Sequence, residues 1–298
     1  MLGPKIEALP DDHPSKAQCL GELSRLFYSA GNWTEYERLL THTLRLWRER
    51  GDDYQAAHKL SDLCEANRLI GLYKEGIQQA KESSEIFERL GLGNTAKQAE
   101  CLINLAYALR DDKQLDAAGE AASRAMNLLP EKGEQFLVCN GHRILGDIYY
   151  SKGDTEKATY HFGVALEVAS SLNLDDQLFW IHFSLAEMFF REGKFDDAEA
   201  HIERAKSHAI NDAYNLGRVM ELQANFWYDQ HMFEKAKLEA SHAADVYEQL
   251  GAAQDLERCR ELLQWTDEQM NNPVVSELDV DGELLETLPL AVYINVPF

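Results

Sequence analysis

The stretch NGHRILGDIYY, residues 140 to 150, places Asn140, Arg143, Asp147 and Tyr150 at intervals of three, four and three. On an α-helix that spacing gathers them on one face. Their chemistry is recognition rather than bond-breaking. A guanidinium is planar and always charged, and it can grip a carboxylate through two parallel hydrogen bonds or stack on an aromatic ring. Arginine and aromatic side chains are also the types that dominate binding hot spots. Nothing alongside them supplies a nucleophile with its base. Over the 298 residues there is no Gly-rich phosphate loop, no GxSxG, no HExxH and no metal-type Cys/His cluster. The ten histidines lack ligand spacing, and His201 and His208, two turns apart, read as solvated helix residues. The pairs Asp111-Asp112, Asp175-Asp176 and Asp196-Asp197 fall at loops or first helical turns, where carboxylates suit the helix dipole. No enzyme is expected, and neither a cofactor nor a metal.

The elements that must carry these side chains repeat. LGDIYYSKGDTEKATYHFGVAL from Leu145 aligns without a gap on LAEMFFREGKFDDAEAHIERAK from Leu185. The same frame finds LAYALRDDKQLDAAGEAASRAM from Leu105, QANFWYDQHMFEKAKLEASHAA from Gln223, and weaker copies from Leu23 and Leu63. Equivalent positions are Tyr36, Gly76, Ala118, Ala158, Ala198 and Ala236, spaced by 40, 42, 40, 40 and 38 residues. Within a copy the apolar residues recur at helical intervals, as in Leu145, Tyr149, Ala158, Phe162 and Ala165. Breaks such as KGD and EGK separate the two halves with a helix-stopping glycine. Each copy is therefore expected to be a helix hairpin, with alanine permitting close approach and an aromatic eight or nine residues earlier filling the gap above it.

Leu145-Gly146, Tyr149, Gly153, Ala158, Phe162 and Ala165, with Pro130 closing the preceding copy, resemble the tetratricopeptide repeat. The period here is about 40 rather than the common 34 or so, which is similar to the long repeats of LGN/Pins-like adaptors, kinesin light chains and arrays attached to STAND-type signalling proteins. The likeness spans about residues 15 to 250. Tyr36, Gly76 and Asn67 depart from it in the first two copies. It implies an all-α, right-handed solenoid of about six hairpins. The expected organisation is a lead segment 1–14, a superhelical domain 15–270 and a tail 271–298. The hairpins fall near 15–50, 53–91, 94–130, 133–171, 174–210 and 211–250, with a capping helix at 252–270.

The resemblance also implies that the face of Asn140 and Arg143 lines a concave groove that binds extended or helical peptides. Carrying the frame along the chain adds Arg25 and Tyr28, then Asp62, Glu65 and Arg68, then Asn104, Tyr107 and Arg110. Further along come Trp180, Phe183, Glu187, Phe190 and Arg191, then Arg218, Asn225 and Tyr228. Apart from His58, every cation on that face is arginine. The candidate peptide-binding set is Arg68, Asn104, Tyr107, Arg110, Asn140, Arg143, Tyr150, Trp180, Arg191, Arg218, Asn225 and Tyr228, with the asparagines holding main-chain amides. The arginines have two readings, gripping an acidic peptide or pairing with the groove's own Asp62, Glu65, Asp147 and Glu187. Tyr107 and Phe183 have likewise a second reading as inter-repeat core. The chaperone-tail clamp of some members is not implied, because Asn104 lacks the lysines that accompany it there.

Composition bounds the rest. With 51 acidic and 29 basic side chains the formal charge is −22, which excludes a general nucleic-acid binder and gives no basic footprint for an anionic membrane. No apolar run reaches membrane-spanning length, no signal peptide opens the chain, and five cysteines without a CxxC read as reduced core residues. A cytoplasmic adaptor with a protein or peptide partner is the expectation. The alternative is a sensor array of a larger STAND-type assembly, and a remote one is an enzyme on a helical scaffold. The segment from Glu277 to Glu286 is acidic, and LPLAVYINVPF after it would be an aggregation hazard if exposed. It is expected to dock, either over the last helices or in the chain's own groove.

Overall fold

The computed structural model describes residues 3–129 and 134–271. Pro130, Pro273 and the tail expected to dock lie outside them. The short α1 (Gly3–Glu7) precedes six helix hairpins: α2 (Lys16–Ser29) with α3 (Trp33–Glu49), α4 (Asp53–Leu69) with α5 (Tyr73–Arg89), and α6 (Ala96–Asp111) with α7 (Leu115–Leu128). The next three are α8 (Gln135–Ser151) with α9 (Thr155–Leu172), α10 (Asp175–Arg191) with α11 (Phe195–His208), and α12 (Ala213–Asp229) with α13 (Phe233–Leu250). A last helix, α14 (Ala253–Asn271), packs on α13. The described residues form an all-α solenoid.

The turn inside each hairpin explains the glycine of the repeat. In all six, the third residue past the first helix returns its N–H to a carbonyl five positions back, as Asp154 to Tyr149 and Lys194 to Phe189. That ring closes only if the intervening residue is left-handed. Gly153 and Gly193 sit there at φ +80° and +71°. In the third and sixth hairpins Lys113 and His231 take the same conformation, at +63° and +58°, without glycine's freedom. Asn32 and Asp154 then cap the second helices of their hairpins by accepting the N–H of Glu35 and Lys157.

Close packing explains the alanine. Ala118, Ala158, Ala198 and Ala236 are all fully buried. At Gly76 the helices come closer still, since an added Cβ would stand 2.9 Å from the Cys64 carbonyl oxygen. Gly146 holds the reciprocal position, where a Cβ would meet the Phe162 ring at 2.7 Å. Tyr149 lies half-buried against the core and stacks on His161 of α9 at 5.3 Å, packing the two helices of its own hairpin together. Four cysteines are buried, Cys19 is half-buried, and none is bonded to another.

The first helices of the hairpins touch one another in succession, α4 to α6, α6 to α8, α8 to α10 and α10 to α12, and make the inner layer. The winding brings its ends together. Trp33, at the start of α3, meets Tyr214 of α12 edge-on with ring centroids 4.9 Å apart. A Cβ on Gly31 would lie 2.3 Å from that tyrosine ring. The first hairpin is thus seated against the sixth, and the groove expected from sequence is bounded as a central cavity.

Candidate functional site

The cavity has a volume of about 570 Å³ and is walled by the inner helices α2, α4, α6, α8, α10 and α12, with α14 and Trp33 completing it. Its wall carries seven cations, Arg68, Arg110, Lys113, Arg143, Arg191, Arg218 and Arg258, against six carboxylates. In a chain of charge −22 this near-balance is a local concentration of positive charge. Lys113 corrects the expectation that arginine and histidine supply all the groove cations. It reaches the wall from a turn, which helical spacing does not cover.

One residue from each successive inner helix builds an alternating stack of guanidinium and ring. Arg68 on α4 lies 5.5 Å from the ring centre of Tyr107 on α6, and Arg143 on α8 lies 4.9 Å from it on the next helix. Arg143 is also 5.5 Å from the Trp180 ring on α10, and Arg218 on α12 is 4.8 Å from that ring and 5.0 Å from Phe183. Such contacts hold a guanidinium plane in place while leaving its N–H edge available. Tyr107 and Phe183 are nearly buried, at 8% and 5% exposure, so each serves both the core and the stack.

The acids are unevenly distributed along this stack. Asp111, buried at the end of α6, receives Arg68 at 3.2 Å and Arg110 at 2.7 Å. Arg110 also reaches Asp147 at 2.7 Å. Burial opposes the charge of Arg110, but Asp111 and Asp147 more than offset it and its pKa rises. Asp111 was expected at a loop or first turn; it sits in the last turn, against the dipole, where only two arginines make its burial tolerable. Arg143 has one long ion pair, 3.8 Å to Asp147, and its Nε–H is buried without an acceptor. Among the described residues no carboxylate stands within ion-pair distance of Arg218, whose close contacts are the two rings. Glu187, facing Arg191 and Arg218, is pushed by burial to a pKa of about 7 with those arginines pulling it back.

Of the twelve candidate residues, Arg68, Tyr107, Arg110, Arg143, Tyr150, Trp180, Arg191 and Arg218 line the cavity. Asn104, Asn140, Asn225 and Tyr228 are not among the lining residues. Asn104 donates to the Ser61 hydroxyl at 3.1 Å and so ties α6 to α4. Asn140 accepts the Tyr107 hydroxyl through its main-chain oxygen. Asn225 bonds back to the Glu221 carbonyl on its own helix, and Tyr228 packs edge-on with Phe233. Arg25 is exposed beside Glu22, while Asp62 is engaged by Lys59 and Glu65 by the Tyr28 hydroxyl. Of the four groove acids named from sequence, Asp147 pairs with arginine, Arg110 at 2.7 Å and Arg143 at 3.8 Å, while Arg68 turns instead to Asp111.

Sequence reading missed the far wall. Tyr214 donates to Asp255 on α14, Tyr247 donates to Glu221 at 2.9 Å, and Arg258 joins both acids, at 2.7 Å to Glu221 and 2.5 Å to Asp255. The histidines also needed correction. His201 and His208 are half-buried rather than fully solvated; the Nδ1 of His201 faces that of His182 at 2.9 Å, and His208 contacts Asp175 at 3.0 Å. Forty residues earlier His142 and His161 make the same pair at 3.0 Å. An alignment of copies holds this signal, since both members recur in register.

Solved structures share this architecture. A Rap protein complexed with Competence and Sporulation Factor superposes with a TM-score of 0.66 at 16% identity, over 91% of this chain and 79% of that one. The fold is an α-helical repeat array shared with that structure. Aspartyl phosphate phosphatase F from Bacillus subtilis matches with a TM-score of 0.55 at 15% identity, over 96% of this chain and 82% of that one. The apo form of RapI matches at 0.52 and 14%, over 86% and 98%. No protein-family model matches the sequence, and no curated protein matches it. Among the described residues no group of three or more His, Cys, Asp or Glu side chains is arranged to hold a metal, and no helix is long and apolar enough to cross a membrane.

Proposed function

We propose that the chain is a non-enzymatic interaction module that holds a short acidic peptide segment in its central cavity. The observation that carries this reading is the stack of arginine and aromatic side chains contributed helix by helix to one wall. Preformed concave sites with a few convergent polar groups are the usual form of a binding site, and this volume lies within their range. The volume also bears on the occupant's size. One turn of α-helix, with its side chains, fills a cylinder of roughly 500 Å³, so the cavity has room for a segment of at least about four residues. One fold neighbour is known in complex with Competence and Sporulation Factor, so this architecture holds a second molecule in that case.

The test is selection of tetrapeptides from a displayed random library on the full chain, repeated with Ser184→Trp. Ser184 is half-buried on the cavity wall, and an indole there fills the space without touching the arginines' charges. Sequences enriched on the unaltered protein and lost on Ser184→Trp are expected. No enrichment, or enrichment indifferent to the indole, overturns the reading. The acidic stretch containing Glu277, Asp279, Asp281, Glu283 and Glu286 is, on charge alone, a tethered competitor for the same cavity. Removing residues 273–298 is then expected to tighten binding of a selected peptide, and unchanged affinity would discard that idea.

A further inference from the structure

The cavity's arginines are not equivalent, and the difference locates a single point of recognition. Arg68 and Arg110 hand their donors to Asp111 and Asp147, and Arg258 hands its own to Glu221 and Asp255. These side chains are consumed by the protein. Arg143 and Arg218 differ. Both stand against one indole, Trp180, at 5.5 and 4.8 Å, one holding a long ion pair and the other none among the described residues. Their planes are fixed by Tyr107, Trp180 and Phe183, so little rotamer freedom remains to be lost when a ligand arrives.

We infer that Arg143 and Arg218, both held against Trp180, form a seat for one carboxylate of the bound peptide. This rests on the peptide reading above and adds where, and by which group, the peptide is recognised. A carboxylate seated there receives charge-assisted hydrogen bonds from both guanidinium groups, with the Trp180 ring beside it. The neighbouring anions do not compete fully. Asp147 is engaged by Arg110, and Glu187, with its pKa of about 7, carries only part of a charge at neutral pH. The same carboxylate placed beside Arg68 or Arg258 would have to displace a buried internal acid, which leaves that acid without its partner.

The carboxylate can come from an Asp or Glu side chain or from a peptide C-terminus, and two library formats separate these. In one, tetrapeptides are flanked by Gly-Ser linkers on both sides; in the other they end at a free C-terminus. Enrichment of Asp or Glu at one position in the first format assigns a side chain, and enrichment only in the second assigns the terminus. A selected peptide is then titrated by calorimetry against the full chain, Arg218→Gln, Arg218→Lys, Arg143→Gln and the outer-surface control Arg89→Gln. Affinity is expected to fall ten-fold or more in Arg218→Gln and Arg143→Gln and less in Arg218→Lys, and to stay level in Arg89→Gln, with unchanged circular dichroism throughout. Selected peptides without a carboxylate preference, or with a preference that survives Arg218→Gln and Arg143→Gln, overturn the seat but leave peptide binding standing. Absence of any selection overturns both.

Discussion

At the scale of single residues, packing and protonation make separate predictions. Phe162 is 1% exposed and lies against Gly146 with no room for a methyl group between them. Phe162→Ala is expected to cost about 3–5 kcal/mol, and Gly146→Ala to destabilise through overpacking by about 1–3 kcal/mol, both measured by chemical denaturation. The paired histidines bear on acid stability. Burial, then the neighbouring His201, Arg204 and His208, bring the His182 pKa down to about 4, and burial lowers His142, His161 and His201 as well. Below about pH 6.5 the unfolded chain takes up protons that the folded one refuses. Their contribution is therefore intact above that pH and is lost as the pH falls toward 4. Glu187 acts in the opposite sense, since a carboxyl held up to about 7 stabilises at low pH and that benefit fades as the pH rises through 7. The fall in melting temperature between pH 7 and pH 5 is therefore expected to be smaller in His182→Phe than in a parallel Ser207→Ala control. An unchanged slope in that variant would remove the imidazole pair from the account.

At the scale of helices, the repeat was readable because each hairpin obeys the same local rules. The aromatic, glycine and alanine positions mark a turn and a close approach, and both recur at fixed spacing whether or not the glycine is kept. Lys113 and His231 show how far the turn geometry outlasts its preferred residue. Ala158 is fully buried against the first helix of its hairpin, so Ala158→Leu is expected to cost about 1–3 kcal/mol by denaturation. The face toward the cavity was legible for the same reason, since helical spacing fixes which side of α6, α8, α10 and α12 looks inward. What spacing leaves open is how far a side chain reaches and what it finds. Asn104 and Asn225 share a face with the arginines, but their side chains are drawn into bonds along or between helices. The sequence predicts the last helix only as a cap. Its inner side holds Asp255 and Arg258 in a network with Glu221, Tyr214 and Tyr247, and no periodicity announces such a cluster. Arg258→Met would strand two partly buried carboxylates, with an expected loss of about 3–5 kcal/mol, and Glu221→Gln in that background should recover part of it in the same denaturation assay.

At the scale of the whole molecule, the meeting of Trp33 with Tyr214 is the feature no local rule foretells, because repeat periodicity reports only contacts between neighbours. Gly31→Val tests it. The position has φ +68° and faces the tyrosine ring, so a branched side chain is expected to force the two ends apart and to raise the radius of gyration in small-angle scattering. An unchanged scattering profile would mean that the turn absorbs the added bulk. A helical array with free ends can gain or lose a unit and remain the same kind of object, only longer or shorter. Here the curvature per unit and the number of units must together return the chain to its own starting edge. Excising one forty-residue copy should therefore yield not a smaller vessel but an arc with two unmatched faces, and evolution by unit duplication is open to this architecture only if the pitch changes with it.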